Sequence, residues 1–243
     1  TALVQLMTPG LAFFYGGLVR AKSLVNTIML SFMTIGVVSI VWTLWGYSLA
    51  YGPNVSGDPL IQGFIGNFSA LGLDGVAMMS GEEDSISPLY DVLFQMMFAI
   101  ITPALITGAF VERFKFSTYL IFTVIWITIV YAPVAHWVWG GGWIGGDGAG
   151  ALDFAGGTVI HINAGAAAVA AALLVGKRAN PGLQPNNVPF VVLGASILWF
   201  GWFGFNGGSA LAADDFAVNA MLVTQIAAGT AATVWGLIGL FAT

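Results

Sequence analysis

The chain has 243 residues, of which 58% are hydrophobic and only 7% charged, with a mean hydropathy of +0.90 and a formal net charge of −5. A soluble domain carries about 25% charged residues, so this composition points to the lipid bilayer. The acidic balance excludes a basic surface for nucleic acid, and the absence of cysteine excludes disulfides and thiolate metal sites.

In chain order, the apolar runs predict seven spans: Thr1–Val19, Val25–Tyr51, Leu89–Phe110, Phe116–Val138, Gly157–Val175, Val188–Phe205 and Phe216–Ala242. Runs of about 20 apolar residues with Gly and Thr mixed in are normal for membrane helices. Thr1 opens directly into the first run, so the expectation is a clipped first helix or a fragment of a longer chain. The connection from Gly52 to Pro88 is long and acidic and reads as a loop with one short surface helix. The connection from Trp139 to Gly156 is rich in glycine, which suits a tight re-entrant path where backbones approach closely.

The charges test this division independently. All six basic residues fall in the connections after spans one, three and five: Arg20 and Lys22, Arg113 and Lys115, Lys177 and Arg178. Ten of the eleven acidic residues fall in or at the edge of the other connections: Asp58, Asp74, Glu82, Glu83, Asp84, Asp91, Asp147, Asp153, Asp214 and Asp215; only Glu112 joins the basic side. The positive-inside rule then places the amino terminus outside the cell membrane. The tetrapeptide Phe14-Tyr15-Gly16-Gly17 echoes Phe205-Asn206-Gly207-Gly208 five spans later, in a helix of opposite direction, as an inverted repeat requires.

The polar inventory does not favour catalysis. His136 and His161 lie on different spans without Glu or Cys at metal-ligand spacing, and no G-x-S-x-G, H-E-x-x-H or P-loop pattern is present. No cofactor is expected, and the chain reads as a non-enzyme. His161 follows Asp153 by eight residues, about 12 Å of helix, which sets an ionisable ring near the middle of the bilayer and marks a functional site. It either belongs to a polar path or packs against a neighbouring helix. Asp153 suits a helix N-cap and also attracts cations. Trp137, Trp139 and Trp143 are either interface anchors or, with Phe98, a cation–π site. Asn206 and Ser209, within Gly201–Ser209, serve either helix packing or a solute site. His136 reads as a packing or interface residue.

With these residues in view, the chain resembles the ammonium transporter (Amt/Mep/Rh) family, on the Amt side. The matching stretches are TPGLAFFYGGLVRAKS at Thr8–Ser23, GAFVERFKF at Gly108–Phe116, AHWVWGGG at Ala135–Gly142, LDFAGGTVIHINAG at Leu152–Gly165 and GWFGFNGGS at Gly201–Ser209. The resemblance implies an all-α polytopic helical bundle, an inverted five-helix repeat truncated after about seven spans. Residues 1–178 would be the first half and 188–243 the start of the second. It implies transport of ammonium or ammonia through a narrow hydrophobic pore, with homotrimers in membrane lipid and a PII-type regulatory protein on the cytoplasmic face. Substrate recruitment falls to Trp139, Ser209 and Phe98; a gate of two stacked phenylalanines to Phe98 and Phe205; the pore to His161 and Trp202; and a structural and recruiting role to Asp153. The family's second pore histidine has no counterpart here, so these residues by themselves are expected not to conduct. An ammonium-sensing receptor on the same fold and an inactive fragment are the alternatives. A water or glycerol channel lacks its paired Asn-Pro-Ala signature.

Overall fold

The computed structural model describes residues 1–54, 63–78, 87–146, 148–178 and 184–241. Asp58, Glu82, Glu83, Asp84, Asp147 and Ala242 lie outside the described residues. Among the described residues there are seven long helical rods: α1 (Ala2–Leu18), α2 (Ala21–Tyr51), α3 (Pro88–Phe110), α4 (Phe116–Val138), α5 (Gly157–Val175), α6 (Val188–Gly207) and α7 (Asp215–Phe241). The last six are long and apolar enough to cross a membrane. The first is an apolar helix of 17 residues, the short end of the spanning range. Each lies within a few residues of its expected span. Among its described residues the long second connection carries the short 3₁₀ helix Leu71–Leu73, and residues 55–62 and 79–86 of that connection lie outside the described residues.

Local sequence sets several boundaries. Pro88 opens α3 and Pro189 sits in the first turn of α6, where a missing N–H costs nothing. Asn187 caps α6 by accepting from the Phe190 N–H at 3.0 Å. Wide π-type turns interrupt α2 at Trp42–Gly46 and α4 at Ile127–Tyr131, begin α5 at Gly157–Ile162 and end α6 at Phe203–Gly207. The one in α4 lies just before Pro133, whose ring and missing donor disturb a regular ladder.

Packing is tightest where α1 meets α6. A Cβ on Gly201 would strike Met7, one on Gly10 would strike Ile197, one on Gly194 would meet the Phe14 backbone at 2.3 Å, and one on Gly17 would strike Val191. Rising numbers on α1 thus pair with falling numbers on α6, so the two run antiparallel. Small residues let the backbones approach, as membrane helices require. α2 packs on α1, α3 and α4, and α5 packs on α3. The centre holds Trp42, Phe94, Phe98, Tyr119 and Tyr131, all essentially buried. Trp42 satisfies its indole by donating to the Val92 carbonyl at 3.1 Å.

The connections sort to two ends. Arg20 pairs with Glu112 at 2.8 Å. The Arg113 guanidinium donates to the Gly176 carbonyl. Asn186 donates to the carbonyls of Gly16 and Val19, both at 2.7 Å. These bonds tie the connections after α1, α3 and α5 together as one basic end. At the acidic end Ser48 donates to the Asn67 carbonyl and Trp137 donates to the Phe64 carbonyl.

Candidate functional site

Asp153 organises the acidic end. Its Oδ1 accepts from the Gly156 N–H at 2.5 Å, and its Oδ2 accepts from Thr158 and Val159 at 2.8 and 3.0 Å. These are the free N–H groups that open α5, so the capping reading is realised. Gly156 turns the chain with φ of 100°, in the left-handed region, and a Cβ there would strike Ile160. The helix therefore starts at Gly157 and not at Asp153. His161 lies about 6 Å into α5, half the helical depth its spacing from Asp153 suggested.

Asp153 also fixes a ring. Its backbone carbonyl accepts from the Trp139 indole N–H at 2.9 Å. With its polar edge occupied, Trp139 offers its face, and it lies 6.0 Å from the Phe98 ring. Trp139, Phe98, Asp153 and Ser209 border one cavity of about 470 Å³. The Ser209 hydroxyl donates to the Phe205 carbonyl at 2.7 Å. Its proton is committed, so its oxygen is left to accept from a donor in the cavity. Aromatic faces beside an acceptor oxygen suit a small cation that carries N–H groups. Trp137 and Trp143 instead pack on Phe64 at 6.0 and 5.7 Å, which is anchoring and not solute contact.

Phe98 borders that cavity and packs on Phe205, with ring centroids 4.7 Å apart and each residue 1% exposed. They meet edge to face at 62° and are not stacked. The aromatic quadrupole favours this arrangement, positive edge on negative face. Trp202, one turn before Phe205 on α6, lies 5.3 Å from it. His161 lies flat on Trp202 at 5.7 Å and 11°, and 5.9 Å from Phe205. The imidazole thus contacts Trp202 and Phe205 and does not border the cavity that Ser209 lines. Its other side is open. Trp202 also borders a second, apolar cavity of about 380 Å³ between α6 and α7.

The structure therefore brings Phe98, Trp139, Asp153, Ser209 and Phe205 together, with His161 and Trp202 packed against Phe205. Two candidates have other tasks. Asn206 donates to the Thr224 hydroxyl at 2.9 Å, which joins α6 to α7. His136 is buried, with Nδ1 2.9 Å from the Ala50 carbonyl and Nε2 2.7 Å from Asn54 Oδ1, so it fastens α4 to the end of α2. Sequence reasoning missed Tyr51, Asp91 and Gln95 on the same cavity. Asp91 counted there as a connection residue, but it lies in the first turn of α3. A signal was present: Asp91, Gln95 and Phe98 follow i, i+4, i+7 spacing and share one helix face.

Comparisons with known proteins agree with this fold. A sequence model described as the Ammonium Transporter Family matches residues 1–243. An ammonium transporter of Aquifex aeolicus is 52% identical over 240 residues, 97% of this chain and 54% of that protein. The crystal structure of Candida albicans Mep2 superposes with a TM-score of 0.87 at 37% identity, covering 99% of this chain and 53% of that one. A structure described as a sensor Amt protein superposes with a TM-score of 0.86 at 31% identity, covering 100% of this chain and 60% of that one. The chain spans about half the length of the curated relatives it matches. A full-length family match, joined to an apolar helical bundle of the same fold, makes the chain a member of the ammonium transporter family.

Proposed function

We propose that the protein carrying this sequence transports ammonium, taken up as the cation at the acidic end and passed inward past the phenylalanine pair. The observation that carries this reading is a continuous run of contacts. A cation-suited cavity bordered by Trp139, Ser209 and Phe98 meets Phe205 through the Phe98 ring, and Phe205 in turn packs against Trp202 and His161. A bare cation crossing the ring pair would lose its water with nothing to replace it, a cost of several kcal/mol or more. Release of the proton to water on the outer side, so that ammonia alone passes the ring pair, removes that cost, and the imidazole of His161 can donate to or accept from the neutral species. Asp153 holds the start of α5, and through it His161, in place.

The wider arrangement follows the same reading. Residues 1–178 form the first half of an inverted repeat and residues 188–243 the start of the second, which the antiparallel α1–α6 seam supports. The acidic end faces outward and the basic end the cytoplasm, by the positive-inside rule. A homotrimer in the cell membrane, with a PII-type protein at the basic end, completes the proposal. Sensing is the less supported alternative, since the curated relatives at 46–52% identity carry transporter names.

The test is uptake of labelled methylammonium by liposomes containing the protein that carries this sequence. Saturable uptake is expected, and His161→Ala should lower or redirect it, with a rate or selectivity change of about tenfold. Absence of saturable uptake from folded protein refutes transport. Equal rate and selectivity in the variant refutes the route past His161.

A further inference from the structure

The cavity at the acidic end is lined by more polar groups than the proposed recruiting residues use. Trp139 and Ser209 come from the connection after α4 and the turn that ends α6. The part of the lining built by α3 and the end of α2 carries oxygen atoms whose bonding capacity is unused. Gln95 is 9% exposed, and its Oε1 is buried without a hydrogen-bond partner. The Tyr51 hydroxyl is likewise buried and unpartnered. An uncompensated buried polar atom costs about 1–3 kcal/mol, so two beside one cavity point to a missing partner.

Asp91 stands beside them. Its Oδ1 accepts from Gln95 Nε2 at 3.3 Å and its Oδ2 from the Tyr47 hydroxyl at 3.5 Å. Both bonds are longer than the usual range, and a carboxylate offers about four acceptor positions. The ion pair found among the described residues, Arg20–Glu112, lies at the basic end, so that pair does not neutralise Asp91. The Gln95 amide already donates to Asp91, which turns its carbonyl oxygen away as a free acceptor. The Phe94 ring borders the same space. Acceptor oxygens, a carboxylate and an aromatic face together suit a ligand that is cationic and donates several hydrogen bonds.

We propose that Asp91, Gln95 and Tyr51 form a second position for ammonium-type cations, on the α3 side of the cavity and separate from Trp139 and Ser209. This rests on the reading of the cavity as an entry site. The carboxylate concentrates cations from water, and the Gln95 and Tyr51 oxygens take N–H bonds that ammonium loses as it sheds water. The Phe94–Phe98 contact, at 4.7 Å, leads from this position to the ring pair. Asp91 is here an affinity-determining residue and has no part in the passage through the rings.

The experiment compares Asp91→Asn and Gln95→Met with wild type, in methylammonium uptake by liposomes and in equilibrium binding of methylammonium to detergent-solubilised protein. Both variants preserve side-chain size. Loss of a carboxylate charge that borders a half-wet cation position predicts a rise of about five- to tenfold in half-saturation for Asp91→Asn, with maximal rate unchanged. That difference should shrink as ionic strength rises, because exposed charges are screened. Gln95→Met should also raise half-saturation, with no dependence on salt. A change in maximal rate alone would mark a structural role and overturn the proposal, as would unchanged half-saturation in either variant that folds. Wild-type protein that binds methylammonium more tightly than Asp91→Asn but shows no uptake would retain this cation position and refute the transport reading instead.

Discussion

Helices α3 and α7 have similar hydropathy, 1.8 and 1.5 over their most apolar stretches, yet the structure uses them in opposite ways. α3 is enclosed on most sides and carries Phe94, Phe98, Ile100 and Ile101 into the centre. α7 buries only Ala220 and Thr224 and leaves Trp235 and Leu240 more than 70% exposed. Membrane helices gain nothing by hiding apolar groups from lipid, so hydropathy says that a helix crosses but not what it touches. Contact is decided by shape: glycines that admit a neighbour's backbone, and polar groups that find a partner across the interface.

Glycine substitutions offer the sharpest way to break that contrast. Gly194→Leu, on the α1–α6 seam, places a branched side chain where even a Cβ meets backbone atoms of Phe14 and Gly10. It should cost about 3 kcal/mol or more and abolish the cooperative thermal transition in detergent. Gly236→Leu on α7 meets open space and should change the transition little. A comparable loss at Gly236 would mean that the α7 face is covered by protein. Next in size is a pair of equal truncations. Ile100→Ala, at a residue 1% exposed, should cost about 2–5 kcal/mol, whereas Ile238→Ala, at one 53% exposed, should stay below about 1 kcal/mol. Unfolding of both in the same detergent reads the difference directly.

The smallest effect concerns how the buried helix is anchored at its end. Just beyond α3, Glu112 adopts φ of 67°, in the left-handed region, and turns its carboxylate onto Arg20 at the end of α1. The hydrogen bonds from Arg20 hold the Glu112 carboxyl below its ordinary range. A lowered folded value means that this pairing stabilises fully above the unfolded carboxylate value of about 4.3, and is lost as pH falls through the lower folded value. Stability measured from pH 6 downward should therefore fall in acid, and Glu112→Gln should flatten that fall. An identical acid profile in wild type and variant would remove Glu112 as the anchor. Arg20 is partly exposed, so the effect is modest and shrinks in salt.

Much of the candidate site was legible before any coordinates, though unevenly. Asp153 declared itself through capping chemistry, because a carboxylate before an apolar run has few better uses than free N–H groups. Phe98 and Phe205 are 107 positions apart in sequence, and only the family resemblance paired them. Their edge-to-face contact is a matter of packing that sequence does not encode locally. Asp91 and Gln95 were missed because an acidic residue at a span end reads as loop, and a lone Gln in a helix carries no pattern. For Asn206 the sequence leaves helix packing and a solute site open, and its partner, Thr224, lies one helix further on, where no local pattern reveals it.

The sequence by itself determined which segments cross the membrane and which connections share an end, because spanning length and charge asymmetry are properties of the chain read in order. It also determined where α5 is capped, since that chemistry is local. The tertiary structure alone decided which faces meet. It set α1 antiparallel against α6, brought the distant rings of Phe98 and Phe205 into contact, and turned Asp91, Gln95 and Tyr51 toward the same space as Ser209. Those outcomes depend on close fit between surfaces far apart in the chain, and periodicity fixes a helix face without saying what stands opposite.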